Sequence, residues 1–277
     1  MVSAHPYGRV FALHRRPQLA DCAPSGRARL DALARWVQDV AYADMEAAGL
    51  DRLAIWVLRR HRIRVLRFPV FGERCEVRTF CSGIGRMWAE RRTTVTLAPA
   101  SPAATAEDTS DQSPVTAANP QAGSPLVETV GLWVHLDPEH RLPSPITEAE
   151  REIYAAAAGN RSISSRLRHP RPGADATEIG RAWHFRRTEV DIADHVNNAA
   201  YWEPLEDELI ESMPALSQVD AELEFRVPAQ PGPVRILGAG PRRWLTATDG
   251  REIYASALLI NAVSSPAQTV PAAPSTP

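Results

Sequence analysis

The chain has no lysine: every one of its 31 basic residues is an arginine, set against 33 acidic residues for a formal net charge of −2. A balance that even offers no general attraction to a polyanion and gives no support for broad nucleic-acid binding. Cysteine is nearly absent too. Cys22, Cys75 and Cys81 show no metal-ligand spacing and cannot all pair, which argues against a disulfide framework or a metal site and fits a reducing cytoplasm. No apolar run approaches the roughly 20 residues needed to span a bilayer. Near the start, Val10-Phe11-Ala12-Leu13 precedes basic His14-Arg15-Arg16, the reverse of a secretory signal, so the expectation is a soluble, cytoplasmic protein. Abundant Ala, Arg and Pro point to a GC-rich bacterial genome. What remains is 277 residues, 44% of them hydrophobic, enough for two modest domains or one large one.

Periodicity divides the chain into two blocks. Leu30, Leu33, Val37, Val40 and Met45 recur at helical spacing between Pro24-Ser25-Gly26 and Gly49, predicting a long amphipathic helix over Arg27 to Ala48. Strand-like segments follow at Ile55–Phe68, Cys75–Phe80, Arg86–Leu97 and Leu126–Asp137. Residues 98–124 are rich in Ala, Ser, Thr and Pro and lack large apolar side chains, which predicts a disordered insertion. A second block repeats the order, with a strand over Ala182–Asp191, a helix over Asn197–Met213 that Pro204 should kink, and strands at Val219–Val227, Val234–Gly238, Trp244–Thr248 and Glu252–Asn261. The expected domains are therefore residues 1–142 and 180–262, joined by a linker over 143–179 that holds a short helix at Thr147–Ala157. Residues 263–277 read as a disordered tail.

The chemistry concentrates in one run. From Asp191 to Asn198 the chain reads Asp-Ile-Ala-Asp-His-Val-Asn-Asn, placing a carboxylate, an imidazole and two carboxamides at the start of the second helix. Unpaired N–H groups at a helix start can polarise a carbonyl, with Asn198 as a partial cap. Asp191 could then activate water or attack directly while His195 orients the reacting groups. The plainer alternative, that these residues merely end a strand and cap a helix, suits each residue alone better than it suits the combination.

This run resembles the active-site segment of the acyl-carrier-protein thioesterases of the plant plastid type and their bacterial relatives. Further likenesses are Arg67-Phe68-Pro69-Val70-Phe71-Gly72-Glu73, Trp133-Val134 with Arg141-Leu142-Pro143, and Leu223-Glu224-Phe225-Arg226. The resemblance implies an α+β tandem (double) hotdog, with two long central helices each wrapped by antiparallel sheet and the sheets joined edge to edge. It implies hydrolysis of fatty acyl thioesters, preferably on acyl carrier protein, with acyl-CoA hydrolysis or non-catalytic acyl-thioester binding as alternatives. Asp191 and His195 would be catalytic, and N–H groups at Val196, Asn197 and Asn198 would bind the carbonyl. No metal, redox cofactor, nucleic acid or membrane is implied, and monomer or homodimer both remain open.

The match departs from the family at three positions. Ala193 stands where the family has an Asn, and Pro228-Ala229 where it has Glu-Cys. Asp194 is a candidate to replace the missing polar group, though a charged residue at a corner is ordinarily solvated. In the first block, Asp21-Cys22-Ala23-Pro24-Ser25 occupies the corner taken to correspond to Asp191 through His195, with Ser25 read as a helix cap and Cys22 as structural. Arg59, Arg60, Arg62, Arg64, Arg67, Arg86, Arg91 and Arg92 suit an acidic carrier, or serve simply to guard an exposed sheet. Trp56, Trp88, Trp133, Trp183 and Phe185 are acyl-tunnel candidates for which core packing is the default.

Overall fold

Alternating apolar and polar residues give each strand one dry face, and register decides whether those faces line up. In the computed structural model of the chain they do. The structure describes residues 3–50, 55–98, 113–116, 123–159, 161–179 and 182–264. Its strands are β1 (Arg9–Arg15), β2 (Ile55–Val65), β3 (Cys75–Ile84), β4 (Trp88–Leu97), β5 (Ser113–Thr116), β6 (Val127–Leu136), β7 (Thr177–Glu178), β8 (Trp183–Phe185), β9 (Leu216–Phe225), β10 (Gly232–Ala239), β11 (Arg242–Thr246) and β12 (Ile253–Ser264). Helices α1 (Leu30–Ala47), α2 (Glu148–Ala158) and α3 (Glu203–Ser212) are accompanied by 3-10 turns at Leu19–Asp21, Arg187–Glu189 and Ala200–Trp202. The strands form one antiparallel sheet in the order β5-β1-β3-β4-β6-β2-β9-β12-β11-β10-β7, with β8 also paired to β10.

Leu13, Val77, Val95, Val127, Val65 and Val219 stand in register from β1 across to β9, and all are buried. Burying each such side chain is worth about 1.5–3 kcal/mol. Onto this row α1 lays Leu30, Leu33, Trp36 and Val40, and α3 adds Leu205 and Leu209. The α+β expectation of a large antiparallel sheet with few helices is met. Among the described residues no helix is long and apolar enough to cross a membrane.

Several boundaries differ from the sequence reading. The helix predicted over Asn197–Met213 begins as the 3-10 turn at Ala200–Trp202 and becomes the ten-residue α3, so only the 18-residue α1 is long. Pro204 sits in the first turn of α3, where its missing N–H costs nothing, and it starts that helix instead of kinking a longer one. The strand predicted over Ala182–Asp191 is confined to Trp183–Phe185, because the chain then coils into a 3-10 turn that Glu189 closes onto the Arg186 N–H at 2.8 Å. Within the predicted insertion, Ser113–Thr116 pairs with β1, while 99–112 and 117–122 lie outside the described residues. β1 itself grew from the apolar run Val10–Leu13, and β12 extends through Ser264; residues 265–277 lie outside the described residues.

The segment read as a linker is fastened down. Thr147 caps α2 by accepting the Glu150 N–H at 3.3 Å, and residues 161–179 then cross the sheet face opposite α1. Trp88 Nε1 donates to the Ile163 carbonyl at 3.3 Å, and the Arg168 and His169 N–H groups donate to the Glu224 carboxylate at 2.6 and 2.9 Å. Trp244 Nε1 holds the Pro170 carbonyl at 2.9 Å. On the same face Arg60, Arg62 and Arg64 of β2 stand opposite Glu224, Glu222 and Asp220 of β9. Arg62 binds Asp220 through two nitrogens at 2.8 and 2.6 Å. Arg64 and Arg67 face Glu128 and Glu73, Arg91 is buried on Asp44, and Arg92 faces Glu90. Most of the arginine row is thus paired with carboxylates of the same chain, with Arg62, Arg64 and Arg67 still partly exposed.

His61 lies at the seam on the opposite, helix-bearing face, edge-on to Trp202 with ring centroids 5.5 Å apart. Neither ring nitrogen has a hydrogen-bond partner among the described residues, and burial pushes its pKa down to about 3. A folded-state value below the ordinary 6.5 makes stability full above pH 6.5 and eroded as pH falls toward 3, by about 1.4 kcal/mol per pH unit. Chemical denaturation at pH 7.5 and pH 5 should therefore show His61→Leu losing about 2 kcal/mol less than wild type across that interval. Equal acid losses in the two proteins would remove His61 as the cause.

Candidate active site

The corner from Arg186 to Trp202 is built by backbone hydrogen bonds, and it sets the Asp191 carboxyl group against a cleft. Asp191 N–H donates to the His195 carbonyl at 3.1 Å and Asp194 N–H to the Asp191 carbonyl at 3.0 Å. The Asp191 carboxylate is held from both sides, Oδ1 accepting the Ala193 N–H at 2.9 Å and Oδ2 accepting Asn197 Nδ2 at 3.0 Å. Asn197 Oδ1 in turn accepts the Ala199 N–H at 2.8 Å, tightening the turn that leads into Ala200–Trp202, and neither Asn197 nor Asn198 caps that 3-10 turn. A carboxylate fixed by two donors keeps its orientation when a substrate arrives.

The corner before α1 has the same wiring. Ala23 N–H donates to the Arg27 carbonyl, Gly26 N–H to the Ala23 carbonyl and Arg29 N–H to the Asp21 carbonyl, each at 2.8 Å, where the second corner joins Asp191 to His195, Asp194 to Asp191 and Asn197 to Glu189. Bridges Cys22–Ala28 and Val190–Val196 close the two loops. Gly26 and Asp194 both take left-handed backbone, at φ 83° and 62°. The structural equivalent of Asp191 is therefore Ala23, two places along from Asp21, and that of His195 is Arg27, which corrects the sequence alignment of the corners. Asp194 is explained by the turn: it is exposed, and an aspartate tolerates the conformation that its counterpart meets with glycine.

The second corner opens on a cleft of about 680 Å³ between α1, α2 and the sheet. Asp191, Asn197 and Asn198 line its mouth, Tyr42, Met45, Ile55, Trp56, Ile84 and Trp133 its apolar walls. At the far end Arg91 is clamped by Asp44 at 2.7 Å and lies over the Tyr154 ring at 5.2 Å, and its pKa is raised by the Asp44 carboxylate against the cost of burial. Of the aromatic tunnel candidates, Trp56 and Trp133 face the cleft. Trp88 anchors the crossing segment, Phe185 is fully buried and Trp183 packs against the core.

The proposed carbonyl donors are only partly available. Val196 is fully buried with its N–H given to the Ala229 carbonyl at 3.0 Å, and Asn197 N–H is given to Glu189 at 2.8 Å. Both are corrections to the predicted oxyanion set, because the hydrogen bonds that build the corner consume them. Asn198 N–H has no partner among the described residues. His195 is half-buried with Nδ1 3.2 Å from the Val196 carbonyl, and it is not among the cleft-lining residues. Where Glu-Cys was expected, Ala229 is a buttress: its carbonyl holds Val196 and its N–H donates to Tyr201 Oη at 2.7 Å. Sequence reading overlooked Gln38, Asp39 and Tyr42 on α1, all at the cleft; Gln38, Tyr42 and Met45 recur at helical spacing on a face beside the core stripe.

One group of side chains has metal-ligand geometry among the described residues: His169, Glu222 and Glu224, whose donor atoms lie within 4.8 Å of one another. Glu224 already accepts two backbone N–H groups and Glu222 faces Arg60 at 3.7 Å and His169 at 3.4 Å, so the cluster is accounted for as the latch of the crossing segment.

By family the chain is a thioester hydrolase. Residues 17–100 match the model of the acyl-ACP thioesterase N-terminal domain and residues 174–238 that of the C-terminal domain, together more than half of the chain, which belongs to the acyl-ACP thioesterase family. A relative, the uncharacterized protein Rv2001 of Mycobacterium tuberculosis, is 23% identical over 226 residues, covering 81% of this chain and 80% of its own. The fold is similar to that of an acyl-ACP thioesterase from Bacteroides thetaiotaomicron, with TM-score 0.68 at 14% identity over 90% of this chain and 97% of that one. It is also similar to the 12:0-ACP thioesterase from Umbellularia californica, with TM-score 0.65 at 17% identity over 92% and 98%.

Proposed function

We propose that this thioester hydrolase acts on fatty acyl groups carried by acyl carrier protein, through Asp191 and the N-terminus of the helical turn at Asn198. The observation that carries the reading is the meeting of a doubly anchored carboxylate and an unused N–H at the mouth of an apolar cleft. Asp191 takes a proton from water as the water oxygen bonds to the thioester carbon. The carbonyl electron pair moves onto oxygen, against Asn198 N–H. Collapse breaks the C–S bond, and the sulfur leaves with the proton from Asp191 as the carrier thiol, releasing free fatty acid. His195 is a positioning residue here, its carbonyl fixing the Asp191 N–H.

The repeated corners support an architecture of two hotdog units in tandem, residues 1–142 and 180–262, with the reactive corner in the second and the acyl cleft walled by the first. The reading places the protein in the cytoplasm as a monomer or homodimer, with no metal or redox cofactor. Matched acyl-carrier and acyl-CoA substrates across chain lengths test it: kcat/KM should be higher on the carrier. Equal or better turnover of acyl-CoA would overturn the carrier preference, and binding without turnover of either would overturn hydrolysis.

A further inference from the structure

In the first corner, the place equivalent to the reactive centre is occupied. Glu206 of α3 puts Oε2 3.1 Å from the Leu30 N–H and Oε1 2.7 Å from Arg27 Nη1. Leu30 is the counterpart of Asn198, and Arg27 that of His195. A carboxylate oxygen therefore sits, in the silent half, on the N–H that an oxyanion would use in the active half. Gln38 follows Arg27 in the chain by as many residues as Glu206 follows His195, so the repeat that carries Glu206 to Leu30 carries Gln38 to Asn198.

Gln38 and Asn198 both line the cleft, the Gln38 side chain is half-buried, and its carboxamide has no partner among the described residues. The two halves differ at this position in one atom's chemistry. Glu206 accepts and fills its corner, whereas Gln38 can donate and leaves its corner open.

Resting on the hydrolytic reading above, we propose that Gln38 is a catalytic residue contributed by the first half, its Nε2–H donating a second hydrogen bond to the thioester carbonyl oxygen that Asn198 N–H holds from the other side. A carboxylate at position 38 would repel both the developing oxyanion and Asp191, which gives the amide its purpose there. A second donor strengthens as charge builds on oxygen, so it acts on kcat more than on KM.

Steady-state hydrolysis by wild type, Gln38→Ala and Gln38→Glu tests this, with thermal melts confirming that these variants on a half-buried helix face remain folded. Loss of one oxyanion donor should lower kcat about 100-fold in Gln38→Ala with KM changed less than about threefold. Gln38→Glu should fall at least as far, and the acidic limb of its kcat–pH profile should move upward, because a second carboxylate disfavours ionised Asp191. A merely structural role would move neither the pH profile nor kcat alone. Wild-type turnover with Gln38→Ala within threefold in kcat overturns this assignment and leaves the hydrolytic reading intact. No wild-type turnover of either thioester class overturns both.

Discussion

Replacing Asp191 by Asn should lower kcat for acyl-thioester hydrolysis by about a thousandfold or more, on the scale seen when a base or nucleophile is removed while binding and oxyanion contacts remain. The substitution is nearly isosteric. It retains an acceptor for one of the two donors, Ala193 N–H or Asn197 Nδ2, while the amide nitrogen must face the other. Some local readjustment follows, worth about 1 kcal/mol of stability, too little to unfold the chain. KM should change far less than kcat, since the apolar walls from Tyr42 to Trp133 are untouched. Rapid-quench single-turnover assays separate chemistry from product release. Undiminished single-turnover hydrolysis in a folded Asp191→Asn protein would exclude Asp191 as base or nucleophile.

How much of this could be read from sequence depends on the range of the interaction. Strands β2, β3, β4, β6 and β9 to β12, with α1, follow from local alternation and helical spacing, so their centres were legible and their ends shifted by a few residues, whereas β1, β5 and β7, short edge segments whose partners lie far along the chain, were not read as strands. β8 was cut short by a 3-10 turn whose cap, Glu189 on Arg186 N–H, is a side-chain contact that periodicity does not register. The crossing segment has the Pro- and Arg-rich composition of a loose linker, yet Glu224, far along the chain, gathers its N–H groups. Composition reports the missing core residues and is silent about a distant acceptor. At the candidate site, Asp191, His195 and Asn198 drew notice because they share one run, and of these Asp191 and Asn198 line the cleft while His195 does not. Gln38 went unnoticed, because the relation that singles it out is the repeat of the two corners, and sequence alone aligned them two residues out of step, matching Asp21 to Asp191. Backbone hydrogen bonds fix that register.

The same repeat brings Glu206 of α3 onto Arg27 at the first corner. Both side chains are nearly inaccessible, and the Arg27 guanidinium also lies over Phe68 at 4.5 Å. Burial pushes the Glu206 carboxyl up from its ordinary pKa, and Arg27 and the Leu30 N–H pull it only partly back. Desolvation therefore outweighs attraction. A pair in that condition adds little net stability, but breaking it strands a charge. Glu206→Ala should cost about 3–5 kcal/mol, by leaving the Arg27 guanidinium buried without its anion and uncapping α1. The double substitution Arg27→Met with Glu206→Met should recover most of that loss, since neither charge then remains to be desolvated. Urea denaturation of Arg27→Met, Glu206→Met and the double closes the cycle; additive losses would show that the pair does not act as a unit. The Met pair should retain wild-type thioester hydrolysis, because the corner it seals is the one without Asp191.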